Sequence, residues 1–423
     1  MSRGRVYCWT PDRRRPLGGL AEVAVVTLPN LSPDDSGRPR LRGAHVTVRN
    51  AGEVNLPGAD GCVVRTSLGD ASPDGSGDFL FEQGRGGGRM DKVGLAEPDF
   101  RWRYVQASRF GEVNAYYHVD KIASYVDDLL RSLGAPPLPP VTVAVNAHHA
   151  ATSLDGDGRR DGVAGRRQWL PFQGGHYRLS NRTIEVEELA PVTPTGEIHL
   201  GPGWRLLEHG ALVEAAGGRY RANASHNPGI IYHEFGHHIT RHTADLSANA
   251  ERPSHRQDNR KTALDEGVSD YWAAAMLETP HIWAFHHRHE GEVVHPRSLV
   301  SAKTMADYDR DRRADAHANG TIWGATLWDL RTRLAHREGP EGARAADRLV
   351  LASLLGLGQI TWDGSAMKPG RLRRLRSDFL MAAVALLEAD ATLYDARHRE
   401  QILQVISRRG IAPHPIWNER ETR

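Results

Sequence analysis

The sequence predicts an α+β fold, with a β-rich N-terminal half, a helix carrying two histidines one turn apart, and a helical C-terminal half. Three observations predict it. Short runs of β-forming residues alternate with Gly- and Pro-rich turns over the first 225 residues. A capped helical pattern opens at Asn227. From residue 321 to 408 the chain reads as successive amphipathic helices. Its 423 residues suit two or three folding units at roughly 150 residues each. We expect a β-rich lead-in over 1–110, a β-rich half of the main domain over 111–243 ending in the histidine helix, and a helical half over 244–423.

Taken in order, strand-like runs sit at 22–28, 44–49 and 62–65, and Gly-rich loops at 74–77 and 84–88. From Asn114, apolar residues Tyr116, Val119, Ile122, Val126, Leu129 and Leu130 recur at helical spacing until Gly134. A Pro-rich stretch at 136–140 precedes a Val-rich strand at 141–145, and turn-filled β structure continues to about residue 225. Asn227 is an N-cap candidate with Pro228 at the first helical position, and this helix runs to about His242. Further helices are expected at 262–277, 321–334, 343–357, 371–388 and 395–408. No internal repeat is evident.

Apolar residues make up 39% and charged residues 25%, a balance that fits a globular enzyme rather than a disordered or fibrous chain. A formal net charge of +2 gives no electrostatic case for nucleic acid or an anionic membrane surface as partner. The basic residues are nearly all Arg, with Lys only at 92, 121, 261, 303 and 368. No run of ~18 apolar residues occurs, so no transmembrane helix is expected. Arg13, Arg14 and Arg15 precede a mild apolar run at 17–28, but Glu22 interrupts it and no small-residue cleavage site follows. The expectation is a cytoplasmic or non-classically exported protein. Cys8 and Cys62 either remain two thiols in a reducing compartment or form one disulfide after export.

The chemistry concentrates in three segments. Residues His233-Glu234-Phe235-Gly236-His237 form His-Glu-x-x-His. On a helix, positions i and i+4 share a face, so both imidazoles can converge on one Zn²⁺ while Glu234 takes a proton from water beside it. With 22 histidines in the chain, this short motif alone is only suggestive. The second segment is Asp265-Glu266-Gly267-Val268-Ser269-Asp270. A catalytic zinc site takes three protein ligands and keeps an open position, and Glu266 can supply the third. Asp270, one turn later, can accept the N–H of a ligating histidine. The third is Asp315-Ala316-His317-Ala318-Asn319-Gly320, whose His317 can donate to an oxyanion developing on a peptide carbonyl.

These residues resemble the gluzincin metallopeptidases, and most closely the fungalysin branch related to thermolysin. The motifs that carry the resemblance are Tyr232–His238, Asp265–Asp270 and His317–Gly324 with Leu327-Trp328-Asp329-Leu330-Arg331; it extends diffusely over residues 110–412. The resemblance implies a zincin-like fold, endoproteolysis of peptide or protein substrates, and one catalytic Zn²⁺. His233, His237 and Glu266 would be its ligands, Glu234 the base, Asp270 a support of a ligand, and His317 the transition-state stabiliser. Thermolysin relatives place an oxyanion-supporting Tyr between the His pair and the Glu, and residues 238–265 contain none; Tyr308 is the substitute candidate, against a packed or surface aromatic. Secreted relatives carry a signal and a long inhibitory propeptide, which the 1–110 lead-in is not expected to reproduce.

Weaker signals remain. Asp155, Asp157 and Asp161 have part of the spacing of a calcium loop, but Arg166 stands where an acidic ligand belongs, which favours a solvated turn. Asn146 and Ala147 resemble the pair that holds substrate backbone in thermolysin relatives, if their strand lies at a sheet edge. His148, His149, His238 and His242 read as non-ligands. Two rival functions stay open. A zinc aminopeptidase would need a Gly-x-Met-Glu-Asn-like segment, and Met is absent between residues 91 and 275. A zinc-stabilised binding protein without catalysis would need neither Glu234 nor His317.

Overall fold

In the computed structural model, the described residues are 1–11, 14, 19–51, 53–57, 63–82, 98–151, 168–171, 174–178, 193, 195–201, 205–208, 211–214, 223–246, 259–282, 297–311, 314–361 and 379–411. The α+β expectation is borne out: strands dominate the N-terminal part, and after residue 227 the regular elements are almost all helical. The chain divides into two compact units. One comprises Met1–Ala123, Pro139–Glu234 and Trp283–Pro296; the other comprises Ser124–Leu138, Phe235–Ile282 and Arg297–Arg423. The cuts at 123/124 and 234/235 each fall inside a continuous helix.

The first unit opens with an antiparallel hairpin of β1 (Arg3–Pro11) and β2 (Gly19–Thr27). It continues with β3 (Val46–Asn50) and a second hairpin, β4 (Glu53–Pro57) with β5 (Val63–Ser67). Helix α1 (Pro98–Ser132) follows, then β6 (Val141–Val145), β7 (His148–Ala151), β8 (Gln168–Pro171), β9 (Gly175–Arg178), β10 (Glu197–Leu200), β11 (Arg205–Glu208) and β12 (Ala211–Glu214). The main sheet has the order β3-β6-β10-β9, parallel except for β9. Strand β3 belongs to the segment read as a separate lead-in, yet it pairs with β6 from Val46↔Val141 to Asn50↔Val145. A Val-rich strand flanked by parallel partners is buried on both faces, as β6 is. Helix α1 begins well before Asn114, with Pro98 at its first position and buried Phe110 and Val113 on its apolar face.

Polar groups buried beneath this sheet are tied together. Glu112 accepts from the Ala71 N–H at 2.7 Å and from Asn50 Nδ2 at 2.8 Å. Burial pushes its carboxyl up to about 7; these two hydrogen bonds and Arg109 oppose the shift, and Asp70 adds to it. Because the folded-state value is raised, the proton stabilises the fold below the ordinary carboxylate range and this stability is lost as pH rises towards 7. The loss is on the order of 3 kcal/mol between pH 4.5 and 7. Denaturant midpoints measured across that range should fall in the wild type and stay nearly flat in Glu112→Gln; parallel curves would remove Glu112 as the source.

The second unit is helical: α2 (Pro228–His242) enters it, followed by α3 (Asn259–Leu277), α4 (Ala316–Glu338), α5 (Pro340–Thr361), α6 (Phe379–Tyr394) and α7 (Arg399–Arg408). Its core includes Tyr271, Trp272, Ile322, Trp323, Leu330 and Leu349, with Trp323 stacked on Phe379 at 6.0 Å. Fully buried Asp347 on α5 accepts from Tyr271 Oη at 2.5 Å, Tyr125 Oη at 2.6 Å and Arg331 Nε at 3.1 Å. Asp347→Ala would strand three donors, one of them cationic, and should destabilise this unit by about 3–5 kcal/mol. Urea unfolding monitored by Trp fluorescence reads this directly; a loss below 1 kcal/mol would contradict the role given to Asp347. Among the described residues, no helix is long and apolar enough to cross a membrane.

Candidate active site

Helix α2 starts as its sequence predicts. Asn227 Oδ1 accepts from the Gly229 N–H at 2.9 Å and Pro228 opens the helix. Ile231, Tyr232, Phe235 and Ile239 are buried. The Tyr232 hydroxyl lies 2.6 Å from His118 Nδ1, and His118 Nε2 lies 2.7 Å from the Tyr7 carbonyl. A carbonyl only accepts, so Nε2 carries the proton and Nδ1 accepts from Tyr232. Burial holds the His118 pKa down at about 3, which keeps this ring neutral and the helix anchored. Tyr232 immediately precedes His233 and Glu234, both buried. Gly175 opens edge strand β9 directly against Glu234: a Cβ there would fall 2.7 Å from Glu234 Cγ and 2.8 Å from its Oε1.

One turn after His233, His237 has distinct surroundings at its two nitrogens. Nδ1 lies 3.1 Å from Asp265 Oδ1 and 3.2 Å from Ser269 Oγ. Asp265 also accepts from Thr240 Oγ1 at 2.5 Å, which fixes the carboxylate between α2 and α3. Holding the proton at Nδ1 leaves the Nε2 lone pair for a metal. Nε2 lies 3.7 Å from Glu266 Oε2, and two atoms each at ~2.0–2.2 Å from one zinc ion fall within that separation. Imidazole nitrogens with a carboxylate oxygen are donors that suit zinc. Among the described residues, His233, Glu266 and His317 bring ligand atoms within 4.8 Å of one another and could hold a metal ion, so this group contains His317 where the sequence leads one to expect His237.

Helices α3 and α4 can approach closely because glycines face each other. A Cβ on Gly267 would fall 2.5 Å from the Gly320 carbonyl oxygen. This contact places His317 Nε2 3.1 Å from Glu266 Oε2. Asp315 caps α4, accepting from the His317 N–H at 2.9 Å and approaching its Nδ1 at 3.0 Å. Burial works to raise the Asp315 pKa, but hydrogen bonds and charge from His317, with the helix N–H groups, bring it below its ordinary value. Arg297 grips buried Asp270 through Nε at 2.9 Å and Nη2 at 2.8 Å, and its Nη2 is 3.7 Å from Glu266.

A histidine-bearing helix, a neighbouring Glu and a capped His of this kind suit metal-assisted hydrolysis, and comparison with known proteins decides the family. The sequence model of the fungalysin metallopeptidases (M36) matches residues 5–414. The chain belongs to the fungalysin metallopeptidase family. Extracellular metalloproteinase 5 of Arthroderma benhamiae is 23% identical over 207 residues, which is 45% of this chain and 31% of that protein. Extracellular metalloproteinase 4 of Trichophyton tonsurans is 23% identical over 206 residues, with the same shares. Extracellular metalloproteinase 1 of Arthroderma otae is 24% identical over 208 residues, again 45% and 31%. The match thus spans less than a third of these relatives' length.

Within this fungalysin, some expected features lie elsewhere than expected. Strand β6 is interior to the sheet, so the edge-strand premise for Asn146 and Ala147 does not hold. Ala147 N–H donates to the Leu200 carbonyl. Asn146, at φ 53°, bonds through its amide to Asn50, Ser108 and Asn223. The sheet edge beside Glu234 belongs to β9. Tyr308 packs edge-on against Phe379 at 5.8 Å, as a packed aromatic would. His238 is buried and its ring meets that of His242 at 4.5 Å. Asp155, Asp157, Asp161 and Cys62 lie outside the described residues, and Cys8 is a half-buried thiol whose pKa burial raises.

Sequence reasoning missed Asp265, Ser269, Arg297 and Asp315 as supports of the site. Asp265 had a signal, since it adjoins Glu266 and a ligating histidine needs a partner on its other nitrogen. Arg297 had none: it lies 27 residues from Asp270 with no motif around it. Asp265→Ala should weaken zinc affinity about 10–100-fold. Competition against a chromogenic chelator measures this, and unchanged affinity would dismiss the Asp265–His237 contact as incidental.

Proposed function

We propose that this chain is a zinc-dependent metalloendopeptidase acting on peptide or protein substrates, with His233, His237 and Glu266 as metal ligands and Glu234 as base. The observation that carries the reading is His237, whose Nδ1 is engaged by Asp265 while its Nε2 faces Glu266. Family membership over nearly the whole chain supports it independently. Zinc bound there supplies Lewis acidity, lowering the pKa of water towards ~7 and polarising a carbonyl.

The remaining steps belong to the protein. Buried Glu234 receives the proton of the attacking water as its oxygen adds to the scissile carbonyl carbon. The same carboxyl then delivers that proton to the leaving amine nitrogen as the C–N bond breaks. His317, oriented by Asp315 through Nδ1, donates from Nε2 to the carbonyl oxygen as it becomes negative. Tyr308 is a second candidate donor. Asp270, gripped by Arg297, holds the far side of the Glu266 helix in place. Strand β9, last in the order of the four-stranded sheet among the described residues, lies beside Glu234 where an extended peptide could align. Calcium at Asp155, Asp157 and Asp161 forms no part of the proposal.

The test is product analysis. Zinc-loaded protein incubated with a mixed library of N-terminally blocked and free peptides should generate new internal termini in both sets. Trimming of single residues from free N-termini alone would instead identify an aminopeptidase, and no cleavage would favour a binding protein.

A further inference from the structure

His317 is half-exposed, yet the turn of helix that carries it is held by an unusual number of side chains. The cap on α4 is already complete, because Asp315 supplies it. Buried Asn319 nevertheless makes two further bonds: its Oδ1 accepts from the Asp309 N–H at 3.0 Å and its Nδ2 donates to the Asp309 carbonyl at 2.9 Å. A side-chain amide has a donor and an acceptor on one planar, uncharged group, so it can pair with both the N–H and the carbonyl of a single residue. Next to it, Lys303 Nζ donates to the Ala318 carbonyl at 3.0 Å.

The segment that supplies these partners is itself anchored. Buried Arg409 donates to the Ser301 carbonyl at 2.5 Å, to the Lys303 carbonyl at 2.9 Å and to Asp329 Oδ2 at 2.6 Å. Its own carbonyl accepts from the Met305 N–H at 2.8 Å. A short 3₁₀ turn, Met305–Asp307, follows with a capping box from Thr304 and Asp307. Residues 301–309 therefore form a brace running from Arg409 to the two residues that follow His317. An exposed histidine needs no such brace for packing. It needs one if Nε2 must stay at a fixed point, since a shift of 1 Å in a transition-state donor can lower a rate about 10²-fold.

We propose that Asn319 is a positioning residue for His317, fixing the first turn of α4 against residues 301–309 so that Nε2 meets the developing oxyanion. The inference rests on the metalloendopeptidase reading and on His317 acting within it. The Oδ1 and Nδ2 bonds join Asn319 to Asp309, which is not a zinc ligand, so their loss should be felt in turnover and not in metal binding.

The test uses zinc-loaded full-length protein and a fluorogenic peptide cleaved by the wild type. Asn319→Ala should lower kcat about 10²-fold with KM and zinc stoichiometry unchanged. In a His317→Ala background the same change should cost less than about 3-fold, because the two residues act as one unit. Asn319→Asp, which keeps the acceptor and loses the donor, and Lys303→Met should show the same pattern at smaller size, and they carry the test if Asn319→Ala does not fold. Wild-type kcat in these variants, or an equal loss with and without His317, overturns the proposal while leaving the peptidase reading intact. A wild type that cleaves no peptide, or a Glu234→Gln protein as active as wild type, overturns both.

Discussion

Alanine at Glu266 is expected to leave the chain folded but without stoichiometric zinc, and without peptide hydrolysis. The argument is one of donor count. A catalytic zinc keeps three protein ligands and an open position, so removing one leaves two histidines that cannot hold the ion against dilute competition. Glu266 sits half-buried among His237, His317 and Arg297, and its carboxylate is the acidic group those three share. Its removal also takes one acidic neighbour from each of Arg297 and His317, which keep Asp270 and Asp315 respectively. Metal analysis after dialysis reads the first effect and thermal unfolding the second. One zinc per chain in Glu266→Ala would show that another residue completes the site.

Glu234→Gln separates chemistry from metal. The amide is nearly isosteric with the carboxylate and fits the same space beside Gly175, so the fold and the zinc should be retained. It cannot take a proton from water, and removing a general base lowers turnover by about 10²–10⁴-fold. Steady-state hydrolysis with zinc content measured on the same sample distinguishes the outcomes. A variant with full zinc and full rate would remove Glu234 from the mechanism, whereas one that loses zinc would make it a ligand.

The helix that carries this residue was legible in the sequence because capping and periodicity are local. Asn227 and Pro228 announce its start, and Ile231, Phe235 and Ile239 mark its buried face. Strand β6 was legible for the same reason, its five residues being three Val, one Thr and one Ala. Its position in the sheet was not, because pairing with β3 and β10 is set by partners far along the chain. That is why the strand leading to Asn146 and Ala147 reads as an edge and pairs on both sides. Helix α1 extends beyond its reading, back to Pro98, and buried Phe110 and Val113 continue its apolar face ahead of Tyr116.

The same distinction runs through the site. His233, Glu234 and His237 lie on one helix, so spacing alone assigns them a common face. Glu266 and His317 depended on further motifs, and the structure joins them through the Gly267–Gly320 approach, a contact that no single segment discloses. Arg297 and the brace at 301–309 carry ordinary residues in ordinary order. Their relevance exists only in three dimensions, where Arg297 meets Asp270 and Asn319 meets Asp309. Supports of this kind are invisible to motif reasoning because backbone carbonyls and lone carboxylates accept them without any sequence signature.

The most direct test of the central claim is metal-dependent cleavage of internal peptide bonds. Purified protein is stripped with a chelator, dialysed, and assayed on a blocked fluorogenic peptide while zinc is added back from zero to two equivalents. The account predicts no cleavage by the stripped chain, a linear return of activity that breaks at one equivalent, and no return in Glu234→Gln. Cleavage that survives stripping, or zinc that binds at one equivalent without restoring any hydrolysis, would contradict it.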